Sequence, residues 1–276
     1  MKIRLIATDL DGTLFDDEKK VPEENLAALH ACRERGILIV PATGRTAPGL
    51  PEQLRGQLGV RYAILLNGGV VMDLKEKKEL ASCRLPAELA VRVMETARDS
   101  GFDVMYDAYL DGIGYTRKEF YENLPHFVKS EGIRTLIHKT RRAVDDNVEY
   151  IRRQNRPVDK VNLFFADMEE RGKMRKILGE IPGILVSSSI PNNLEINAAG
   201  AHKGDALARL AERLGIGMEE VMAFGDGEND LTMLKMAGFG VAMGNADPSV
   251  KEAADYVTGS NNEAGLAAAL KRFVLE

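Results

Sequence analysis

Two acid-rich stretches carry the residue types that could do chemistry. Asp9-Leu10-Asp11-Gly12-Thr13 sets two carboxylates close together behind an apolar run, and Gly225-Asp226-Gly227-Glu228-Asn229-Asp230 repeats that arrangement far along the chain. Either alone reads equally well as a turn, because Asp and Gly favour turns for local reasons. Both follow apolar runs, so they are expected to converge on one edge of a sheet. Converging carboxylates about 4 Å apart repel by roughly 4 kcal/mol at an effective dielectric of 20, so a cation belongs among them. Oxygen donors open to water suit Mg2+ better than a transition metal. Asp9 and Asp226 are the expected carboxylate ligands, with the backbone carbonyl of Asp11 as a third.

These residues need elements that aim them. Short apolar runs recur at Ile3 to Thr8, Ile37 to Ala42, Ala63 to Leu66, Val221 to Phe224, Gly240 to Met243 and Tyr256 to Thr258, with helical stretches between them. Runs apolar on both faces suit strands covered on both sides, which makes the fold class α/β with a doubly wound parallel sheet. Several runs stop at residues wrong for a core, namely Asp9, Thr43 and Asp226, and in such a sheet ligands bind at the carboxyl ends of the strands. Helices are expected over Pro22 to Arg35, stopped by Gly36, and over Lys203 to Leu214, closed by Gly215.

The middle third differs. It reads as a helix from Pro86 to Ser100, strands FDVMYD and GIGYT, a polar irregular region, a helix over Val144 to Asn155, a strand KVNLFF, a helix over Glu169 to Ile181 and a strand from Ile184. This is an α+β module set inside an α/β sequence. The expected division is a core of residues 1–84 and 188–276 with an inserted domain at 85–187.

Composition excludes several classes. Hydrophobic residues at 45% and charged residues at 29% are the mixture of a soluble globular protein. No run approaches the roughly 20 apolar residues of a membrane span. The first residues resemble a secretory signal, yet the run is short and is interrupted by Asp9 and Asp11, so a cytoplasmic location is expected. Two cysteines, Cys32 and Cys83, give no disulfide framework, and the four histidines show no metal spacing. A net charge of −5 disfavours nucleic acid or an anionic membrane as partner. A monomer or small homo-oligomer acting on a small molecule fits. Arginines and lysines between Arg134 and Arg156 form a local basic cluster, read first as solvated faces.

The DLDGT signature, Ala42-Thr43-Gly44-Arg45, Lys203 in a His-Lys-Gly helix start and the GDxxND pattern together resemble the four motifs of the haloacid dehalogenase-like phosphatase superfamily, in order and spacing. The insert between the second and third motifs is similar to the type IIB cap of the Cof-type hydrolases, and Asn67-Gly68-Gly69 resembles that group's turn. The resemblance implies a Rossmann-like core carrying an α+β cap that selects substrate.

It also implies that Asp9 is a nucleophile toward phosphorus, assisted by Mg2+. Asp11 would protonate the leaving alcohol and then activate water, which requires a raised pKa. Thr43, Gly44 and the Leu10 amide are expected to hold phosphate, joined by Lys203 at a helix start. Asn229 is expected to donate to phosphate, and Asp230 to orient a metal-bound water or Lys203 from behind. Arg45 and Asn67 are further substrate-binding candidates, Arg45 being equally able to pair with an acid.

The expected activity is hydrolysis of a small phosphomonoester, such as a sugar phosphate, through an aspartyl-phosphate. A sugar phosphomutase and a non-enzymatic phospho-acceptor switch share these motifs and stay open.

Overall fold

The computed structural model describes residues 2–188 and 190–276. Five strands precede the insert: β1 (Leu5–Thr8), β2 (Leu38–Pro41), β3 (Tyr62–Leu65), β4 (Val70–Asp73) and β5 (Lys78–Ser82). Within it lie β6 (Val104–Leu110), β7 (Ile113–Arg117), β8 (Arg141–Val144), β9 (Lys160–Phe165), β10 (Ile184–Ser187) and β11 (Asn193–Ala198). After it come β12 (Val221–Gly225), β13 (Phe239–Ala242) and β14 (Tyr256–Val257).

The central sheet is parallel throughout, in the order β14-β13-β12-β1-β2. Its strands are apolar on both sides because each side has its own core. Ile6 of β1 packs with Leu29, Cys32 and Leu266, while Leu5 and Ala7 pack with Leu207, Leu210 and Val221. This is the doubly wound arrangement expected of such runs. An isolated parallel bridge between Ala42 and Ile64 continues β2 into the antiparallel sheet β3-β4-β5. Helices Glu23–Glu34 and Lys203–Arg213 lie where the periodicity placed them, and Gly36 and Gly215 beyond them take the positive φ of 79° and 64° that ends a helix cheaply only at glycine.

Contacts divide the chain into two units, one made of the chain through Ser82 with Ala201–Glu276, the other Cys83–Gly200. The boundary expected between residues 187 and 188 lies after Gly200, because β11 bonds to β9 and β10 in the second unit's sheet. That sheet runs β10-β11-β9-β6-β7-β8, antiparallel except for β7 with β8. Helices Ala87–Asp99, Asn147–Gln154 and Met168–Gly179 cover one of its faces.

The region expected to be irregular holds helices Lys118–Glu122, Leu124–Phe127 and Glu131–Thr140 and strand β8. Three short helices bury only Leu124, Phe127, Val128 and Ile137, against Met105 and Phe164, too few positions to set a visible period. Much of the basic cluster is neutralised, with Arg152 and Arg153 bonded to Glu149 and Arg156 to Asp111. Cys32 is buried and its thiol is pushed up to about 11 by burial, which leaves it unreactive. Among the described residues, no helix is long and apolar enough to cross a membrane.

Candidate active site

β1 and β12 are hydrogen-bonded neighbours running the same way, so the residues just beyond their carboxyl ends meet. The Asp9 amide donates to the Phe224 carbonyl at 3.0 Å, and one carboxylate oxygen from each of Asp9, Asp226 and Asp230 falls within a 4.8 Å cluster. The intervening turns are built for this approach. Gly12 has φ 87°, and a Cβ there would lie 2.3 Å from Asp226 Oδ2, so a side chain would collide with the cluster. Thr13 Oγ1 donates to Asp226 Oδ1 at 2.6 Å, and Asn245 Nδ2 holds the Gly12 carbonyl at 2.8 Å.

Lys203, fully buried at the first turn of its helix, donates from Nζ to Asp9 Oδ1 and to Asp230 Oδ1, each at 2.7 Å. Asp230 spends its other oxygen on the backbone N–H groups of Asp226 and Gly227, both at 3.0 Å. With both oxygens engaged, Asp230 acts as a buttress that fixes the lysine and the β12 turn. Burial works against the Lys203 charge, but Asp230 and Asp9 outweigh it and hold its pKa far above the ordinary lysine value.

The acids respond in the opposite direction. Burial first, then Asp230 and Asp226, push Asp9 well above the carboxylate range despite Lys203. Burial and Asp230 bring Asp226 to about 6. Three carboxylates face one ammonium, and among the described residues no protein donor reaches Asp9 Oδ2 or Asp226 Oδ2. Two hard oxygens with excess negative charge and no proton donor are what a divalent metal ion needs.

The strand ending at Thr43 supplies the next wall. The Thr43 amide donates to Ile64 O at 2.9 Å, its carbonyl accepts from the Asn67 amide at 3.0 Å, and its Oγ1 accepts from the Arg45 amide at 3.2 Å. Leu66 and Asn67 both take positive φ, 55° and 57°, strained values for residues with side chains. Gly68 follows at φ 100°, and a Cβ there would lie 2.2 Å from His202 O and 2.9 Å from Lys203 N. The Asn67-Gly68-Gly69 turn thus seats the start of the Lys203 helix. Asn229 Nδ2 donates to Asn67 Oδ1 at 3.0 Å, tying this turn to the one after β12.

Asp11 departs from expectation. Its carboxylate takes a two-pronged bond from Arg45, Nε to Oδ2 and Nη2 to Oδ1, both at 2.7 Å, and Lys19 Nζ lies 3.0 Å from Oδ1. Burial alone would raise its pKa, but Arg45 and then Lys19 hold it below the usual carboxylate range. The expected raised pKa is therefore corrected, because the two cations outweigh burial. Arg45 is itself fixed, donating to Gly49 O at 3.1 Å with its guanidinium 5.2 Å from the Phe15 ring centre.

The family model described as haloacid dehalogenase-like hydrolase matches residues 6–270. This chain belongs to that family. Among its relatives is the 5-amino-6-(5-phospho-D-ribitylamino)uracil phosphatase of Bacillus subtilis (strain 168), 32% identical over 99% of this chain and 96% of that one. Among solved structures, a haloacid dehalogenase-like hydrolase from Bacteroides thetaiotaomicron is 33% identical, with a TM-score of 0.81 over 98% of this chain and 99% of the other. A subclass IIB sugar phosphatase is 27% identical, with a TM-score of 0.80 over 99% of this chain and all 100% of the other. The haloacid dehalogenase-like chain described here is an enzyme, a phosphoric monoester hydrolase.

In this hydrolase, Asp9, Asp226, Asp230 and Lys203 form one bonded cluster, and Asp11 with Arg45 forms a second within the same unit. Thr43 and Asn67 meet through the main chain, and Gly44 is half-buried between Thr43 and Arg45. The Leu10 side chain lies in the core, so only its backbone is placed to serve the site. Sequence reasoning missed Lys19, Thr13 and Asn245. Thr13 was legible as the hydroxyl closing DLDGT; Lys19 and Asn245 carry no local signal and are recruited by the fold.

Proposed function

We propose that this hydrolase is a Mg2+-dependent phosphatase of small phosphomonoesters, sugar phosphates foremost, acting through an aspartyl-phosphate at Asp9. The reading rests on one observation: Lys203 occupies Asp9 Oδ1 from behind while Oδ2 has no protein donor among the described residues. Lysine on Oδ1 and a metal ion on the open Oδ2 would together fix the orientation of this carboxylate toward phosphorus, which is what a positioned nucleophile needs.

Asp9, Asp226 and the Asp11 carbonyl would hold Mg2+, which when bound neutralises the charge shared by the nucleophile and the phosphoryl oxygens. Thr43 Oγ1, the amides of Gly44 and Leu10, and Asn229 would receive the phosphoryl oxygens, with Lys203 adding fixed positive charge. Attack by Asp9 forms the carboxylate O–P bond as the ester O–P bond breaks, and the departing alkoxide takes its proton from Asp11. Water then attacks phosphorus, Asp11 takes a proton from it, and Asp9 is released. The ionised Asp11 held by Arg45 and Lys19 is the form suited to the second half-reaction. For the first, Asp11 must loosen those contacts, and the negative phosphoryl group competes for both cations. The unit Cys83–Gly200 would be the cap that selects substrate.

Release of inorganic phosphate from p-nitrophenyl phosphate with Mg2+ tests this. Many turnovers per chain, lost in Asp9→Asn, support hydrolysis, whereas a stable stoichiometric phosphoprotein indicates a switch. Turnover at wild-type rate in Asp9→Asn would refute the mechanism.

A further inference from the structure

The Lys203–Arg213 helix packs its apolar side on β3 and β4, where Ala206, Leu207 and Leu210 share one core with Tyr62, Ile64 and Val71. β5 lies one strand further out, at the edge of that sheet. Between β5 and the second half of the helix opens a cleft of about 360 Å3. The helix first lines it at Arg209, about 9 Å of helical rise beyond Lys203, so the cleft is not part of the catalytic cluster. All its walls belong to the unit made of the chain through Ser82 with Ala201–Glu276.

The strand register makes the floor apolar. Val71 of β4 stands opposite Ala81, but Met72 stands opposite Glu79, so Leu80 is an extra residue in β5. In a regular strand Leu80 and Ala81 would point to opposite faces. The bulge instead packs both against the core that holds Val71 and Leu210, and these four side chains line the cleft. Re-aiming a side chain is what bulges at sheet edges do.

The rim is charged. Arg209, Glu212 and Arg213 line it, all exposed, and none has a hydrogen-bond or ion-pair partner among the described residues. Two guanidinium groups one helical turn apart against a single carboxylate leave one net positive charge. An arginine takes a carboxylate through two parallel N–H···O bonds. Glu212 sets the limit, since it would repel the second charge of a phosphate dianion. An apolar floor under such a rim suits an apolar body carrying one negative group, and the volume lies within the range of small-molecule pockets. We infer that this cleft binds a small apolar monocarboxylate, at a site separate from the Asp9 cluster.

Saturation-transfer NMR titration of the full chain with 3-phenylpropionate, and with its neutral amide, tests this and needs no turnover. We expect saturable binding of the acid and binding of the amide at least tenfold weaker, because hydrogen bonds between charged partners are the stronger kind. The double variant Arg209→Gln, Arg213→Gln should weaken binding of the acid at least tenfold; both positions are exposed, so the core is untouched. Glu212→Gln raises the net charge of the rim and should tighten binding of the acid about twofold at low salt, a gain that damage to the fold cannot mimic. No saturable binding of the acid, equal affinity for acid and amide, equal affinity in wild type and the double variant, or no gain in E212Q overturns the inference.

Discussion

Lys203 Nζ lies 2.7 Å from Asp9 Oδ1 although 194 residues separate the two in sequence. Its second bond, also 2.7 Å, goes to Asp230, and all three groups are buried. Such a contact is structural, since a buried carboxylate pair without its cation is costly, and under the proposed mechanism it also aims the nucleophile.

Lys203→Met should therefore fail twice. Removing one partner from a buried ionic cluster costs about 3–5 kcal/mol. Loss of the fixed charge beside the reacting group lowers kcat by about 100-fold or more. Urea unfolding and steady-state kinetics with p-nitrophenyl phosphate check both, and a variant as stable and active as wild type would show the lysine to be incidental.

Gly12 and Gly36 make a matched pair. Both have positive φ, but a Cβ at Gly12 meets Asp226 Oδ2 at 2.3 Å while one at Gly36 meets nothing within 4 Å. Gly36→Ala should cost only the backbone strain, about 1–2 kcal/mol, and keep full activity. Gly12→Ala should displace Asp226 and raise the Mg2+ concentration for half-maximal activity at least tenfold. Similar metal titration curves for the two would contradict the crowded-turn account.

The metal-free protein should grow less stable as pH rises from about 4 to 7. Asp226 has a folded pKa near 6, above its unfolded value, and Asp9 is raised too. Their protonated forms are favoured by folding, so the stability they contribute is complete below the unfolded pKa and lost as pH climbs through the folded one. Mg2+ should offset this at neutral pH and do little at pH 5, where protons compete for the same oxygens. Melting temperatures in EDTA and in Mg2+ at both pH values give the test; a Mg2+ shift as large at pH 5 as at pH 7.5 would contradict it.

Asp11 carries the opposite sign. Its folded pKa is lowered below its unfolded value, so its contribution is present above the unfolded pKa and disappears as pH falls through the folded one. Arg45→Gln removes the two-pronged bond, and the stability gap between wild type and variant should be widest at neutral pH and close in acid. Urea midpoints at pH 7 and pH 3 measure that gap, and a gap independent of pH would mean that Arg45 stabilises by packing on Phe15 instead.

Much of the site was legible because its residues interrupt apolar runs. A run that stops at Asp9, Thr43 or Asp226 advertises a strand end with polar business, and β1, β2 and β12 end beside those residues. The second unit was harder. β8 begins with two arginines, one of them buried against Asp107, and this breaks the pattern of a strand. In β11 Leu194 and Ile196 alternate with Asn193, Glu195 and Asn197, all buried, because its second face is a polar interior rather than solvent. Of the tyrosines left unplaced by sequence, Tyr106 and Tyr115 lie under the helices, whereas Tyr109 lies on the opposite face of the sheet with Asp107, paired with Lys160.

From sequence alone came the order of the motifs, the α/β class, the acid groups bound to meet at one sheet edge and the need for a cation among them, since residue type and period act locally along the chain. Tertiary structure alone decided which oxygen each acid keeps open, that Asp11 is held ionised, and that one face of the insert's sheet is a buried polar layer. Charge state and hydrogen-bond satisfaction depend on distances and burial among residues such as Asp11, Lys19 and Arg45, and those distances exist only once the chain has closed on itself.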